Sequence, residues 1–259
     1  MSLQTRAREL LGSDWPLIDD AVTVEMLLAH RSGIGDYLDE AAGWDVNDPV
    51  LSVPVHTLAD TQSFLPILDG HPQVFAPGER FAYCNGGFIV LALLAERAAG
   101  IPFHDIVEHR VCRPARLTDT AFLRSDQLPG RAALGYLAAE GNRSNVLPMP
   151  VRGTGDGGIY STAADLSRLW TALFAGHIVD LPTVALMTAP RSDVPSEGYR
   201  YGLGLWLHAT GPAVLLEGFD PGISTRSTHD PMTGLTVTVL ANTSSGAEPL
   251  IEHLASLFD

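Results

Sequence analysis

Tyr83 and Asn85, with Cys84 between them, stand directly before an apolar run of helical period in GERFAYCNGGFIVLALLAERAAG, residues 78–100. A phenol can pass on a proton, and an amide can donate and accept hydrogen bonds at once. Both residues also have ordinary structural readings, Tyr83 as a core or staple residue and Asn85 as the cap of the helix that follows. No self-sufficient catalytic set stands elsewhere. His104 and His109 in HDIVEH are five apart, the wrong spacing for one helix face, and the nine His residues form no ligand cluster, so solvated surface and no metal are expected. GTGDGGIY lacks the Lys of a phosphate-binding loop and reads as a tight turn at Gly157 and Gly158. A G-x-S-x-G nucleophile elbow is absent, Ser32 reads as a helix-end residue, and Cys84 and Cys112 read as ordinary thiols.

Composition narrows the partners. The chain has 259 residues and a formal charge of −14, and a surface without basic patches gains nothing from phosphate counterion release. Nucleic acid and anionic membranes are therefore not expected as partners; small neutral or cationic ligands remain open, and no cofactor is implied. No apolar run reaches membrane-spanning length and no signal-peptide core is visible, although an opening MSL of vector origin would hide the native start, so the compartment stays open. Lys and Arg together number 16 and the sequence has no lysine, so all 16 are Arg. Chemistry that needs a deprotonatable Lys has no residue to use. Compositional bias, with Arg taking over solubility duties, is the plain reason.

The elements fall into two parts. From about Thr23 to Ala189 the periodicity is mostly helical: TVEMLLAHRSGIG starts on a Thr23 cap and stops where Gly33 can turn left-handed. STAADLSRLWTALFAG has capping-box spacing at Thr162 and Asp165, an apolar stripe from Leu166 to Phe174, and a closing Gly176. After Ala189, YRYGLGLWLHA, AVLLEG, GISTRST and LTVTVLAN read as consecutive antiparallel strands. GAEPLIEHLASLF returns to helical spacing through Leu250, Ile251, Leu254 and Leu257 and can cover the sheet. The expectation is an α/β (α+β) chain forming one domain over residues 1–259, with a helical lobe at 23–189, a connector at 1–22, and an antiparallel sheet with a C-terminal helix at 190–259.

In order and spacing, TVEMLLAHRSGIGDY, APGERFAYCNGGFIVLALLAERAAG, GDGGIYSTAADLSRLW, YGLGLWL and EGFDPGIS resemble the penicillin-recognising serine hydrolases: serine β-lactamases, D-alanyl-D-alanine peptidases and related esterases. The resemblance spans nearly the whole chain. It implies a β-lactamase/transpeptidase-like fold and acyl-enzyme hydrolysis of a small acyl substrate. It gives Tyr83 the role of proton carrier between nucleophile and leaving group, and Asn85 that of holding the substrate and the catalytic amine. A phenol with a pKa of about 10 needs a neighbouring cation to serve as a base.

Two departures follow. The family's Ser-x-x-Lys nucleophile motif cannot be present without a lysine, and only 22 residues precede Thr23, so the first strands and the nucleophile helix are expected to be missing. A truncated chain, a misassigned start and a lost catalytic segment are the alternatives, and the retained Tyr83 and Asn85 favour the first two. The chain alone is then expected to be inactive, with an uncovered sheet edge that invites a homodimer. At the third motif, aligning EGFDPGIS puts Leu216, Glu217 and Gly218 where the family has Lys or His, a small residue and Gly. Gly218 can admit close backbone approach, and the loss of the cation favours neutral esters or amides over β-lactams, unless Arg226 on the next strand reaches the cleft. The alternative is a non-catalytic relative that keeps only the cleft as a binding site.

Overall fold

The structure, a computed structural model, describes residues 1–38 and 50–255. Helix α4 (Asn85–Ala99) is the spine of the helical lobe, with Ile89, Val90, Leu93 and Leu94 fully buried along it and Gly100 closing it at φ 71°. Around it pack α1 (Ala7–Leu11), α2 (Val24–Leu28) and α3 (Leu65–Leu68), through Leu11, Leu27, Phe64 and Leu68. Residues 1–22 thus join the helical lobe: Ala7 N–H donates to Val22 O at 2.9 Å, and Trp15 and Ile18 enter the same core. Next along the chain come α5 (Phe103–Val107), which runs into a π-helical turn, α6 (Ala163–Phe174) and α7 (Leu181–Met187).

The caps explain where these helices start. Thr23 Oγ1 accepts from Met26 N–H at 3.3 Å, and Thr162 Oγ1 accepts from Asp165 N–H at 3.2 Å. The expected capping box at α6 is only half made. Asp165 is fully buried, and its carboxylate takes Asp119 N–H at 2.7 Å and the Thr120 hydroxyl at 2.8 Å, with Arg168 as its cation. It ties a preceding loop to α6 instead of returning to Thr162. His104 is also not on the surface: it is 9% exposed and bonded through Nε2 to Gly153 O at 2.8 Å.

Six strands follow in simple antiparallel order: β1 (Ser192–Val194), β2 (Tyr199–Tyr201), β3 (Trp206–His208), β4 (Val214–Asp220), β5 (Ile223–His229) and β6 (Thr236–Ala241). The stretch YRYGLGLWLHA is two strands, because Gly204 at φ 75° reverses the chain and Gly202 N–H closes on Leu205 O at 2.9 Å. The sheet buries alternate residues on opposite faces. Val214 and Leu216 pack with Trp170 of α6, whose indole N–H donates to Ser227 Oγ at 2.9 Å. On the other face, Leu215, Val237 and Val239 border a groove of about 290 Å³ under α8 (Glu248–Ala255), into which Ile251 turns. Leu250, expected on that face, is exposed, and Leu257 lies outside the described residues.

Arg31 joins the lobes, donating to Gly78 O at 2.6 Å and Ser192 Oγ at 2.9 Å, while Gly204 N–H reaches Leu28 O at 2.9 Å. Among the described residues no single helix is long and apolar enough to cross a membrane.

Candidate active site

The start of α4 is fixed from outside the helix. Asn85 is its first residue, and the preceding Cys84 makes no side-chain cap. The expected capping role of Asn85 passes to Asp36, whose two carboxylate oxygens accept Asn85 N–H at 2.6 Å and Gly86 N–H at 2.9 Å. This satisfies two orphan donors of the helix and places a carboxylate at its positive end. Two residues earlier, Ala82 N–H donates to His30 O at 2.9 Å and Cys84 N–H to His30 Nδ1 at 3.0 Å. The Tyr83-Cys84-Asn85 turn is therefore held by two residues of the loop after α2.

The turn opens on a cavity of about 140 Å³ between the lobes. Tyr83, Asn85 and Phe88 border it from the α4 side, Tyr201, Gly204 and Trp206 from β2, β3 and their turn, and Leu216 and Glu217 from β4. Asp156, in the Gly-rich loop before α6, completes it. The Tyr83 ring lies nearly parallel to Trp206, centroids 6.1 Å apart, and 4.1 Å from the His30 ring. Its edge is open to the cleft, with the residue 51% exposed.

Among the described residues the cavity has acids and no cation on its wall. Asp156 accepts the Tyr37 hydroxyl at 2.5 Å, and burial, reinforced by the nearby Asp220 and Asp36 charges, pushes its carboxyl up to about 7 despite that bond. Enclosure in the cleft, and then the charges of Asp220, Asp156, Asp36 and Glu217, push the Tyr83 phenol well above its usual range. Such surroundings hold the phenol protonated. Arg226 does not supply the missing cation. Its guanidinium is bound to the Glu217 carboxylate and to Tyr199 Oη at 3.3 Å, and it lines the groove under α8.

Four of the five residues singled out from the sequence, Tyr83, Asn85, Leu216 and Glu217, meet at this cavity. Gly218 does not border it: a Cβ there would meet the Thr225 side chain of the neighbouring strand, not open cleft. Sequence reasoning missed Asp156, Tyr201 and Trp206 as walls and His30 and Asp36 as supports. Asp156 had a signal, since a carboxylate between glycines in GTGDGGIY has no core to join.

A cleft between a helical lobe and an antiparallel sheet, with a Tyr-x-Asn turn on one side and the fourth strand on the other, is the arrangement of the penicillin-recognising serine hydrolase family. The Beta-lactamase family matches residues 13–258, and the chain belongs to it. Penicillin-binding protein 4* of Bacillus subtilis (strain 168) is 28% identical over 224 residues, covering 79% of this chain and 48% of that protein. The chain thus spans about half the length of that relative. The crystal structure of a penicillin binding protein from Bacillus halodurans superposes with a TM-score of 0.90 at 33% identity, over 100% of this chain and 79% of that one. An octameric penicillin-binding protein homologue from Pyrococcus abyssi gives 0.80 at 25% identity, over 99% and 60%.

Asp156 carries a pH dependence whose sign is fixed. Its folded pKa is raised from 3.8 to about 7, so the folded state keeps a proton that the unfolded chain has lost, and stability falls as pH rises across that window. Asp156→Asn keeps an acceptor for Tyr37 and removes the titration. Chemical denaturation at pH 4 and pH 8 should show the variant gaining about 1–3 kcal/mol on the wild type at the higher pH, allowing for solvent screening at this partly buried site. Parallel pH profiles for the two proteins would contradict the assignment.

Proposed function

We propose that this chain supplies the proton-transfer and substrate-holding side of a serine hydrolase that cleaves an ester or amide through an acyl-enzyme. The carrying observation is that Tyr83 and Asn85 border one cavity together with Leu216 of β4. In the reaction, a serine hydroxyl adds to the acyl carbon and loses its proton to Tyr83 in its phenolate form, which becomes the phenol. The phenol then protonates the leaving oxygen or nitrogen, and water repeats the exchange on the acyl-serine. Asn85 holds the acyl side through its amide. The carboxylates around Tyr83 oppose phenolate formation, so the phenol needs a cation within a few ångströms, the role an amine of a Ser-x-x-Lys segment would fill.

No lysine is available in these 259 residues. The purified chain should therefore remain unlabelled by a fluorophosphonate or penicillin probe under conditions that label a Ser-x-x-Lys hydrolase stoichiometrically. Stoichiometric labelling would sink this reading. The same shortage of cations supports a second reading, a non-catalytic relative that retains the cleft to bind a ligand. A form extended upstream to include a Ser-x-x-Lys segment separates the two, because the binding protein would stay inert.

Substrate preference follows from the wall of the cavity. Leu216 offers an alkyl group and Arg226 is committed to Glu217, so a substrate carboxylate would find no charge-assisted partner there and Asp156 nearby. The extended form should hydrolyse nitrophenyl butyrate with a higher kcat/KM than a chromogenic cephalosporin, and Tyr83→Phe should lower ester turnover by about 10²–10⁴-fold. Preference for the cephalosporin would overturn the substrate class.

We also propose self-association through β6. Among the described residues no strand pairs with its outer edge, and TVTVLA carries no charge or proline to discourage pairing, with Leu240 exposed. That one relative is an octamer supports assembly in this family. Sedimentation velocity should show a concentration-dependent dimer that Leu240→Lys weakens about tenfold; a monomer at every concentration would count against it.

A further inference from the structure

His30 stands where a glycine would ordinarily end a helix. After α2 the His30 N–H donates to Leu27 O at 3.2 Å and the Arg31 N–H to Met26 O at 2.8 Å, the paired closing bonds of a helix end whose turning residue is left-handed. His30 takes that conformation at φ 52°, uncommon for a residue with a Cβ. A strained backbone retained at such a position directs attention to what the side chain does.

The side chain is buried, with the residue 2% exposed, and it touches the site directly. Its ring lies 4.1 Å from that of Tyr83 at a tilt of 32°, with Phe88 and Tyr201 both at 4.9 Å. Nδ1 accepts the Cys84 N–H, so the imidazole proton must be on Nε2, which has no oxygen or nitrogen partner among the described residues. Together with its carbonyl, which takes Ala82 N–H, His30 holds the peptide donors on both sides of Tyr83 and supports the phenol ring between them. Protonation would turn the Nδ1 acceptor into a donor facing another donor. Burial keeps the ring neutral, its pKa pushed down to about 3, and the titratable groups around it, the Tyr83 and Tyr201 phenols and the Cys84 thiol, are all raised and uncharged.

We propose that His30 is the positioning residue of the site: a permanently neutral, Nε2-protonated imidazole that sets the height and tilt of Tyr83 over the cavity without exchanging protons itself. The proposal rests on the reading of Tyr83 as the proton carrier. A phenol displaced by about 1 Å can lose on the order of 10²-fold in rate, so the support and the function are separable by measurement.

Two substitutions divide the roles of the side chain. His30→Phe keeps a flat ring and loses the acceptor; His30→Asn keeps an acceptor, suits a left-handed backbone and loses the ring. On the 259-residue chain, the nitrogen-15 signals assigned to His30 by their loss in His30→Asn should be those of an Nε2-protonated imidazole that does not titrate between pH 4.5 and 8, and a titration of those signals near 6.5 would overturn the proposal. The Cys84 amide should exchange slowly in the wild type and His30→Asn and at least tenfold faster in His30→Phe. Equal exchange in all three overturns it. In the form extended with a Ser-x-x-Lys segment, His30→Phe should lower kcat per titrated active site by about 10–100-fold with KM changed less than threefold. A purely structural histidine would reduce the number of titratable sites and leave kcat per site intact. If Tyr83→Phe leaves kcat unchanged, the proton-carrier reading fails, whereas the exchange data still decide whether His30 holds the turn.

Discussion

Four backbone N–H groups, those of Ala82, Cys84, Asn85 and Gly86, end on two residues of one short loop, His30 and Asp36. Everything else at the cleft depends on this clamp. Buried peptide donors must find acceptors, and the first turn of a helix has none of its own. Supplying them from the loop after α2 fixes the direction in which α4 enters the core and the side of the turn on which Tyr83 emerges. The loop is secured in turn by Gly78 N–H on Arg31 O at 2.8 Å and Val74 N–H on Gly33 O at 2.7 Å. Chain segments some fifty residues apart in sequence thereby act as one rigid piece.

The electrostatics of the molecule are unevenly distributed. Several of its arginines also hold the frame. Arg8 donates to the carbonyls of Gly12, Asp14, Trp15 and Ile18, Arg97 to those of Leu10 and Leu11, and Arg200 to His208 O and Gly211 O. A planar guanidinium with several donors can bind multiple carbonyls where an ammonium would act as a point charge. These arginines hold loops and helix ends, and the cleft keeps acids whose charges reinforce one another. Burial first, and these like charges after it, displace the Tyr83 phenol and the Asp156 carboxyl upward.

The fold was legible where local physics decides it. The caps at Thr23 and Thr162, the left-handed Gly176, and the strands around AVLLEG, GISTRST and LTVTVLAN stand where residue type and period place them. The site was half legible. Tyr83, Asn85 and Leu216 carry their meaning in short motifs, whereas Asp36 acts across 49 residues of sequence and leaves no periodic trace. His30 was hidden for the opposite reason, since at a helix end it reads as part of the stop signal. Arg226 was ambiguous until the strand register paired it with Glu217.

The loop that carries Asp156 has a further consequence. At Gly155 a Cβ would collide with the backbone oxygen of Phe88, and at Gly153 with the backbone of Gly157 and Gly158. The loop therefore lies directly on the backbone of α4, the same helix whose first turn bears Asn85. No larger residue fits at either glycine unless the backbone moves, so the loop that carries Asp156 is held at a fixed distance from α4. What can vary without moving that contact is the set of side chains that face inward, as at Leu216 and Asp156.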